Sequence, residues 1–177
     1  MLRLLWSFIL LAITITLPAN SLARTVEQIG DYFSVIVPAY ALGMSAHEQD
    51  WTGFRQFTLS YLGAQATVEI LKSIVTEKRP NGGDKSFPSG HAASAFSGAA
   101  FVHKRYGIQR AILPYLMAGF TAYSRVYSDK HYWHDVAASA AISSLFTYFL
   151  VSKEHTDDAI QILASPRSVF FGYLFAF

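Results

Sequence analysis

Charge along this chain is gathered into separators, and that segregation constrains the fold more than any other feature. Five stretches, 32–46, 56–68, 86–102, 111–124 and 136–152, contain no Asp, Glu, Lys or Arg. Between them, His47–Gly53, Thr76–Lys85, His103–Arg110 and Arg125–Asp135 hold charged and turn-forming residues. The uncharged stretches are rich in Ala, Leu, Phe, Tyr and Ser and lack the strict alternation of half-buried strands, so each reads as a helix. With no internal repeat or low-complexity linker, the expectation is one all-α domain, a bundle of about five helices.

Whether that bundle sits in a membrane is less directly encoded. None of the five stretches reaches the roughly 18 apolar residues of an ordinary span, and 136–152 comes nearest. Extending the second stretch with Phe54, Ile70 and Leu71 brings Arg55 and Glu69 inside it. Mean hydropathy of +0.27 is high for a soluble protein. Membrane embedding is the reading adopted, with a soluble bundle wrapped around its own core as the alternative.

Residues 1–23 read as a secretory signal. Arg3 precedes the uncharged, mostly apolar Leu4–Leu17, Pro18 breaks it, and Ser21-Leu22-Ala23 supplies small residues at a cleavage site. The alternative is an uncleaved anchor helix, because Leu4–Ala23 is 20 uncharged residues. Residues 24–155 then form the helical domain and 156–177 an apolar tail. Its end, Ser168–Phe177, suits a short strand, an interfacial anchor or a packed helix equally well. The absence of cysteine excludes a disulfide framework, a thiolate nucleophile and a thiolate metal site. A net charge of +2 with only 15% charged residues argues against disorder and against a nucleic-acid partner.

Three separators concentrate groups that bind phosphate and move protons. In the first, Lys72 lies about two turns before Arg79 on the continuing second helix, and Pro80 biases Arg79 toward extended backbone. Taken alone, such cations suit a solvated helix end. In the second, Pro88-Ser89-Gly90-His91, Ser89 is a natural N-cap. Free N–H groups at Gly90 and His91, a hydroxyl and an imidazole then surround a ready anion site. A plain cap with an incidental histidine fits equally. In the third, Arg125 offers a bidentate phosphate donor, while His131 and Asp135, four residues apart, would share one face of a helix. A carboxylate on one ring nitrogen leaves the other free to attack or to accept a proton. Metal ligation by His131, His134 and Asp135 is the rival, and the basic residues nearby suit an anion better.

The patterns K-x6-R-P over Lys72–Pro80, P-S-G-H over Pro88–His91 and S-R-x5-H-x3-D over Ser124–Asp135 stand complete and in order. Together, over about residues 30 to 152, the chain resembles the type 2 phosphatidic acid phosphatase superfamily, which includes class A acid phosphatases and vanadium haloperoxidases. The resemblance implies that His131 is a nucleophile phosphorylated on its ring and that Asp135 orients it. It implies His91 as general acid and then base, with Lys72, Arg79, Ser89, the Gly90 amide and Arg125 binding phosphate oxygens. No metal or other cofactor is implied, and His134 is given no role.

Topological parity agrees. A mature chain that starts outside the cytoplasm delivers all three clusters to the outer side if its helices span. The His103–Arg110 loop, with three fixed positive charges, then falls inside. A soluble bundle satisfies the same parity. The expected function is a metal-independent phosphatase acting on a lipid phosphate or pyrophosphate at the periplasmic face of a bacterial inner membrane. A soluble periplasmic acid phosphatase is the alternative; a haloperoxidase needs a longer chain. A non-catalytic lipid-binding module would have no need of a His–Asp pair.

Overall fold

The computed structural model describes residues 19–153, 160–165 and 168–173. Five helices make up the bundle: α1 (Ala19–His47), α2 (Trp51–Ile74), α3 (Gly90–Tyr106), α4 (Ile108–Tyr127) and α5 (Trp133–Leu150). Each uncharged stretch falls in one helix, apart from Ser86–Ser89, which lead into α3, and residues 151–152, which follow α5. Most of the reading of 1–23 lies outside the described residues; α1 itself runs unbroken across Ala23 and Arg24.

The separators are shorter than their charges suggested. His103–Arg110 is helical except at Gly107, which turns α3 into α4 at φ +92°, a conformation open to glycine without steric cost. The second helix, expected to continue toward Arg79, stops at Ile74. β-Branched Val75 and Thr76 favour extended backbone, and Pro80 bars the residue before it from the helical region. The chain instead folds back on itself, with Ser86 N donating to Glu77 O (2.9 Å) and Arg79 N to Gly83 O (2.7 Å).

Helix α3 runs through the centre, packed against all four other helices. Its small residues permit this: Ala92, Ala93, Ala95, Ala99 and Ala100 are buried. At Gly98 the approach is closest, since a Cβ there would stand 2.8 Å from the Val37 carbonyl carbon and oxygen of α1. Phe57 and Phe101, with ring centroids 4.9 Å apart, fill the wider part of the core.

Helix α5 is inside out. Apart from Val136, its buried residues are the polar Asp135, Ser139, Ser143 and Thr147, whereas Leu145, Tyr148 and Phe149 are exposed. Ser139 Oγ donates to Ser89 O and Ser143 Oγ to Ala93 O, both at 2.8 Å, so the hydroxyls bond the α3 backbone. Small polar residues between helices and large apolar ones outside reverse the arrangement of a bundle in water. Val35, Ile36, Leu59, Leu62, Leu113 and Leu116 extend the exposed apolar surface over α1, α2 and α4.

None of the described helices is long and apolar enough to cross a membrane. Ionisable groups such as Asp31, Glu69, Lys72 and Arg105 lie within the helices and interrupt their apolar runs. Two of the cations of the His103–Arg110 segment are paired. Arg105 is buried and makes a bidentate pair with Asp50, both bonds at 2.7 Å, and Arg110 pairs with Glu48 at 2.8 Å. All-α describes the bundle alone: β1 (Ile160–Ser165) and β2 (Ser168–Tyr173) pair antiparallel, Ile160 opposite Tyr173 through Ser165 opposite Ser168. For the tail, a strand is the outcome.

Candidate active site

The third separator delivers its pair as expected but by a different local structure. Helix α5 begins at Trp133, so His131 precedes the helix rather than sharing a helical face with Asp135. Asp135, in the first turn of α5, reaches back: its Oδ2 accepts from Tyr132 N at 3.0 Å and lies 3.2 Å from His131 Nδ1. A first-turn carboxylate is the natural partner of free N–H groups at a helix start. Ser86 Oγ donates to the same oxygen at 2.5 Å. His131 is 3% exposed and Asp135 fully buried. An Nδ1–H aimed at the carboxylate leaves the Nε2 lone pair free, the tautomer a nucleophile needs. Burial holds the His131 pKa down at about 4, against the raising effect of Asp135 and with help from Arg79 and Lys72. The ring is neutral at ordinary pH.

The second separator forms as the sequence implied. Ser89 caps α3 by accepting from Ala92 N at 3.5 Å, and Gly90 and His91 open the helix. A Cβ on Gly90 would stand 3.2 Å from Lys72 Nζ, so the ammonium at the end of α2 sits against this helix start. His91 is half-exposed; burial, followed by Arg125, lowers its pKa, with Lys72 and Arg79 acting the same way and Asp31 opposing. Arg79 reaches this region from the folded-back loop, and its Nε is buried without a hydrogen-bond partner. An unmatched buried guanidinium N–H is a donor awaiting an acceptor.

Arg125 is buried at the end of α4 and held on three sides. Nε donates to Ser124 Oγ (3.2 Å), Nη2 to Glu27 O (2.5 Å), and Nη1 lies 2.7 Å from Asp31 Oδ1. The same Asp31 oxygen lies 3.2 Å from His91 Nε2. Asp31 thus bridges the guanidinium and the imidazole from α1, where the helices pack so closely that a Cβ on Gly30 would meet Ser124 Oγ at 1.9 Å.

The eight sequence-predicted residues, Lys72, Arg79, Ser89, Gly90, His91, Arg125, His131 and Asp135, therefore fall at one end of the bundle. Asp31 and Ser86 were missed. Asp31 sits at the edge of an uncharged run and Ser86 at the start of another, and neither position carries a local signal. Beside the site, a cleft of about 370 Å³ between α1, α2 and α3 runs from Lys72, Gly90 and His91 to Val35, Pro38 and Tyr61.

One end of the helical bundle thus collects two histidines, a buried aspartate and three cations, a set of groups able to hold an anion. The chain belongs to the PAP2 superfamily, whose family model matches residues 3–157. It is 29% identical over 148 residues to the lipid A 4'-phosphatase of Helicobacter pylori, covering 77% of this chain and 74% of that protein. It is 38% identical over 71 residues to the lipid A 1-phosphatase of Porphyromonas gingivalis, which is 38% of this chain and 16% of that protein. The fold is shared with Aquifex aeolicus LpxE (TM-score 0.54, 20% identity, 73% of this chain and 92% of that one). It is shared equally with the transmembrane PAP2-type phosphatidylglycerolphosphate phosphatase of Bacillus subtilis (TM-score 0.56, 22% identity, 74% of each chain).

Proposed function

We propose that this phosphoric monoester hydrolase of the PAP2 type removes a phosphate from lipid A or a closely similar lipid, through a phosphohistidine. The observation that carries the reading is the neutral, buried His131 held by Asp135 and set among Lys72, Arg79 and Arg125. In the first step His131 Nε2 attacks phosphorus and the bond to the lipid oxygen breaks, while His91 gives that oxygen its proton. In the second, His91 takes a proton from water, the water oxygen attacks phosphorus, and the P–N bond breaks to release inorganic phosphate. Lys72, Arg79, Arg125, the Ser89 hydroxyl and the Gly90 amide hold the phosphate oxygens as charge builds on them. Fixed cations in this number supply the stabilisation that many phosphatases take from a metal ion.

Two observations support a lipid substrate. Helix α5 turns its large apolar residues outward, as a helix with apolar surroundings does. The cleft beside Lys72 and His91 is lined by Ser34, Gln65 and Glu69 as well as Val35, Pro38 and Tyr61, a mixed surface with room for a lipid headgroup next to the phosphate site. The names of the two lipid A phosphatases favour that lipid over other phosphates. We place the enzyme at the inner membrane with its site facing the periplasm, on the reading of residues 1–23 as an export signal or anchor.

The test is phosphate release in EDTA and detergent from lipid A, phosphatidylglycerol phosphate, phosphatidic acid, undecaprenyl pyrophosphate and p-nitrophenyl phosphate, beside His131→Ala. Release from lipid A that disappears in the variant, with acid-labile phosphate trapped on the wild-type protein, is the expected result. Preference for p-nitrophenyl phosphate would move the assignment to a broad acid phosphatase, and release unchanged in His131→Ala would end the histidine mechanism.

A further inference from the structure

His134 has no part in the phosphatase chemistry, yet its surroundings are built. Its ring stacks on Tyr132 (centroids 5.3 Å apart, 9° between planes) and faces Phe87 at 6.1 Å. Its Nε2 lies 2.9 Å from Glu77 Oε1 and 3.0 Å from Asp135 Oδ1. The three donor atoms all lie within 4.8 Å of one another, the one such grouping of metal-ligating side chains among the described residues. A second observation concerns Asp135 alone. Its Oδ2 takes Ser86 and Tyr132 as donors, but Oδ1, in a residue with no exposed surface, accepts no hydrogen bond. A single imidazole proton given to Glu77 leaves that buried oxygen unmatched, which is unfavourable for a carboxylate.

We propose that Glu77, His134 and Asp135 form an inhibitory site for a divalent transition-metal ion, Zn²⁺ above all. One imidazole and two carboxylates suit Zn²⁺ better than Mg²⁺ or Ca²⁺, which prefer oxygen alone. Ligand bonds of about 2.0–2.2 Å need donors somewhat more than 3 Å apart, so the two contacts of His134 Nε2, at 2.9 and 3.0 Å, widen by only a few tenths of an ångström. Glu77 and His134 are partly exposed, which allows that adjustment and leaves a coordination position for water. The cation would sit on the far oxygen of the carboxylate that orients His131. There it draws negative charge away from Oδ2 and makes His131 a poorer nucleophile, while the cations that bind phosphate are left in place. The signature is loss of kcat at unchanged KM.

The experiment uses the full chain in detergent, stripped of metal by chelator and dialysed. Co²⁺ binding is followed by visible absorption, Zn²⁺ by competition against Co²⁺ and by phosphate release. Expected are one Co²⁺ per chain with an imidazole-carboxylate spectrum, displacement by micromolar Zn²⁺, and a fall in kcat of at least tenfold that EDTA reverses. Glu77→Gln and His134→Gln should keep metal-free kcat within about threefold and lose both the spectrum and the inhibition. Absence of a saturable Co²⁺ spectrum, its survival in both variants, or Zn²⁺ binding without inhibition would each overturn the proposal. The spectrum reads the site without turnover, so failure of the lipid A assignment and failure of the metal site are told apart.

Discussion

Asp31→Asn tests the electrostatics of the site most directly. In the structure Asp31 Oδ1 stands 2.7 Å from Arg125 Nη1 and 3.2 Å from His91 Nε2. A phosphate that approaches Arg125 therefore meets a carboxylate already there. Asparagine keeps the shape and removes the charge. Asp31 is 42% exposed, so its attraction to Arg125 is strongly screened and worth at most about 1 kcal/mol. Relief of that competition should tighten orthophosphate or orthovanadate about fivefold, since about 1.4 kcal/mol is a factor of ten. A second consequence concerns His91. Burial, Arg125, Lys72 and Arg79 all lower its pKa and Asp31 alone among the named groups raises it, so its loss drives the pKa lower still. The assay is competitive inhibition by orthophosphate together with kcat/KM against pH. Tighter inhibition and an alkaline limb moved to lower pH are expected together. Inhibition unchanged or weaker, or a limb moved upward, would refute the reasoning, and a merely structural role for Asp31 would produce neither shift.

Other outcomes follow from the same geometry. In the proposed mechanism the wild type works with His131 neutral, which holds above about pH 4, and His91 protonated, which holds below a pKa lowered from 6.5. The kcat/KM profile of the free enzyme should thus peak on the acid side of neutrality and fall through pH 7 to 8; a profile still rising at pH 8 would contradict the assignment. Ser86→Ala removes a charge-assisted hydrogen bond to Asp135 Oδ2, worth about 1.5–3 kcal/mol, and should lower kcat by about tenfold or more with little change in KM. Gly98→Ala places a methyl against the Val37 backbone and should destabilise by about 1–3 kcal/mol in thermal melts. Gly43→Ala, with nothing within 4 Å, should be neutral or stabilising by up to about 1 kcal/mol. Asp50→Ala strands the buried Arg105 and should cost about 3–5 kcal/mol, visible as a lower midpoint in the same melts.

Much of this protein is legible in its order of residues. Uncharged runs of helical length between charged separators determine five helices, because backbone hydrogen bonding and the need to bury apolar surface act over a few turns of chain. The Ser89 cap and the start of α3 are equally local, since a cap bonds an N–H only three residues on. All eight motif residues carry recognisable chemistry at fixed spacings. What tertiary structure alone decided are relations among elements. The fold-back of Thr76–Phe87, which ends α2 early and carries Arg79 inward, depends on bonds between Glu77, Arg79, Gly83 and Ser86. Asp135 holds His131 from the first turn of α5 instead of from a shared helical face. The polar burial of α5 depends on carbonyls of α3 that accept its hydroxyls. Asp31 acquires its place only because α1 packs on α4 at Gly30, bringing together two charges remote in sequence. Periodicity records which face of a helix is apolar, whereas the partner that a buried charge meets is set by the packing of whole helices.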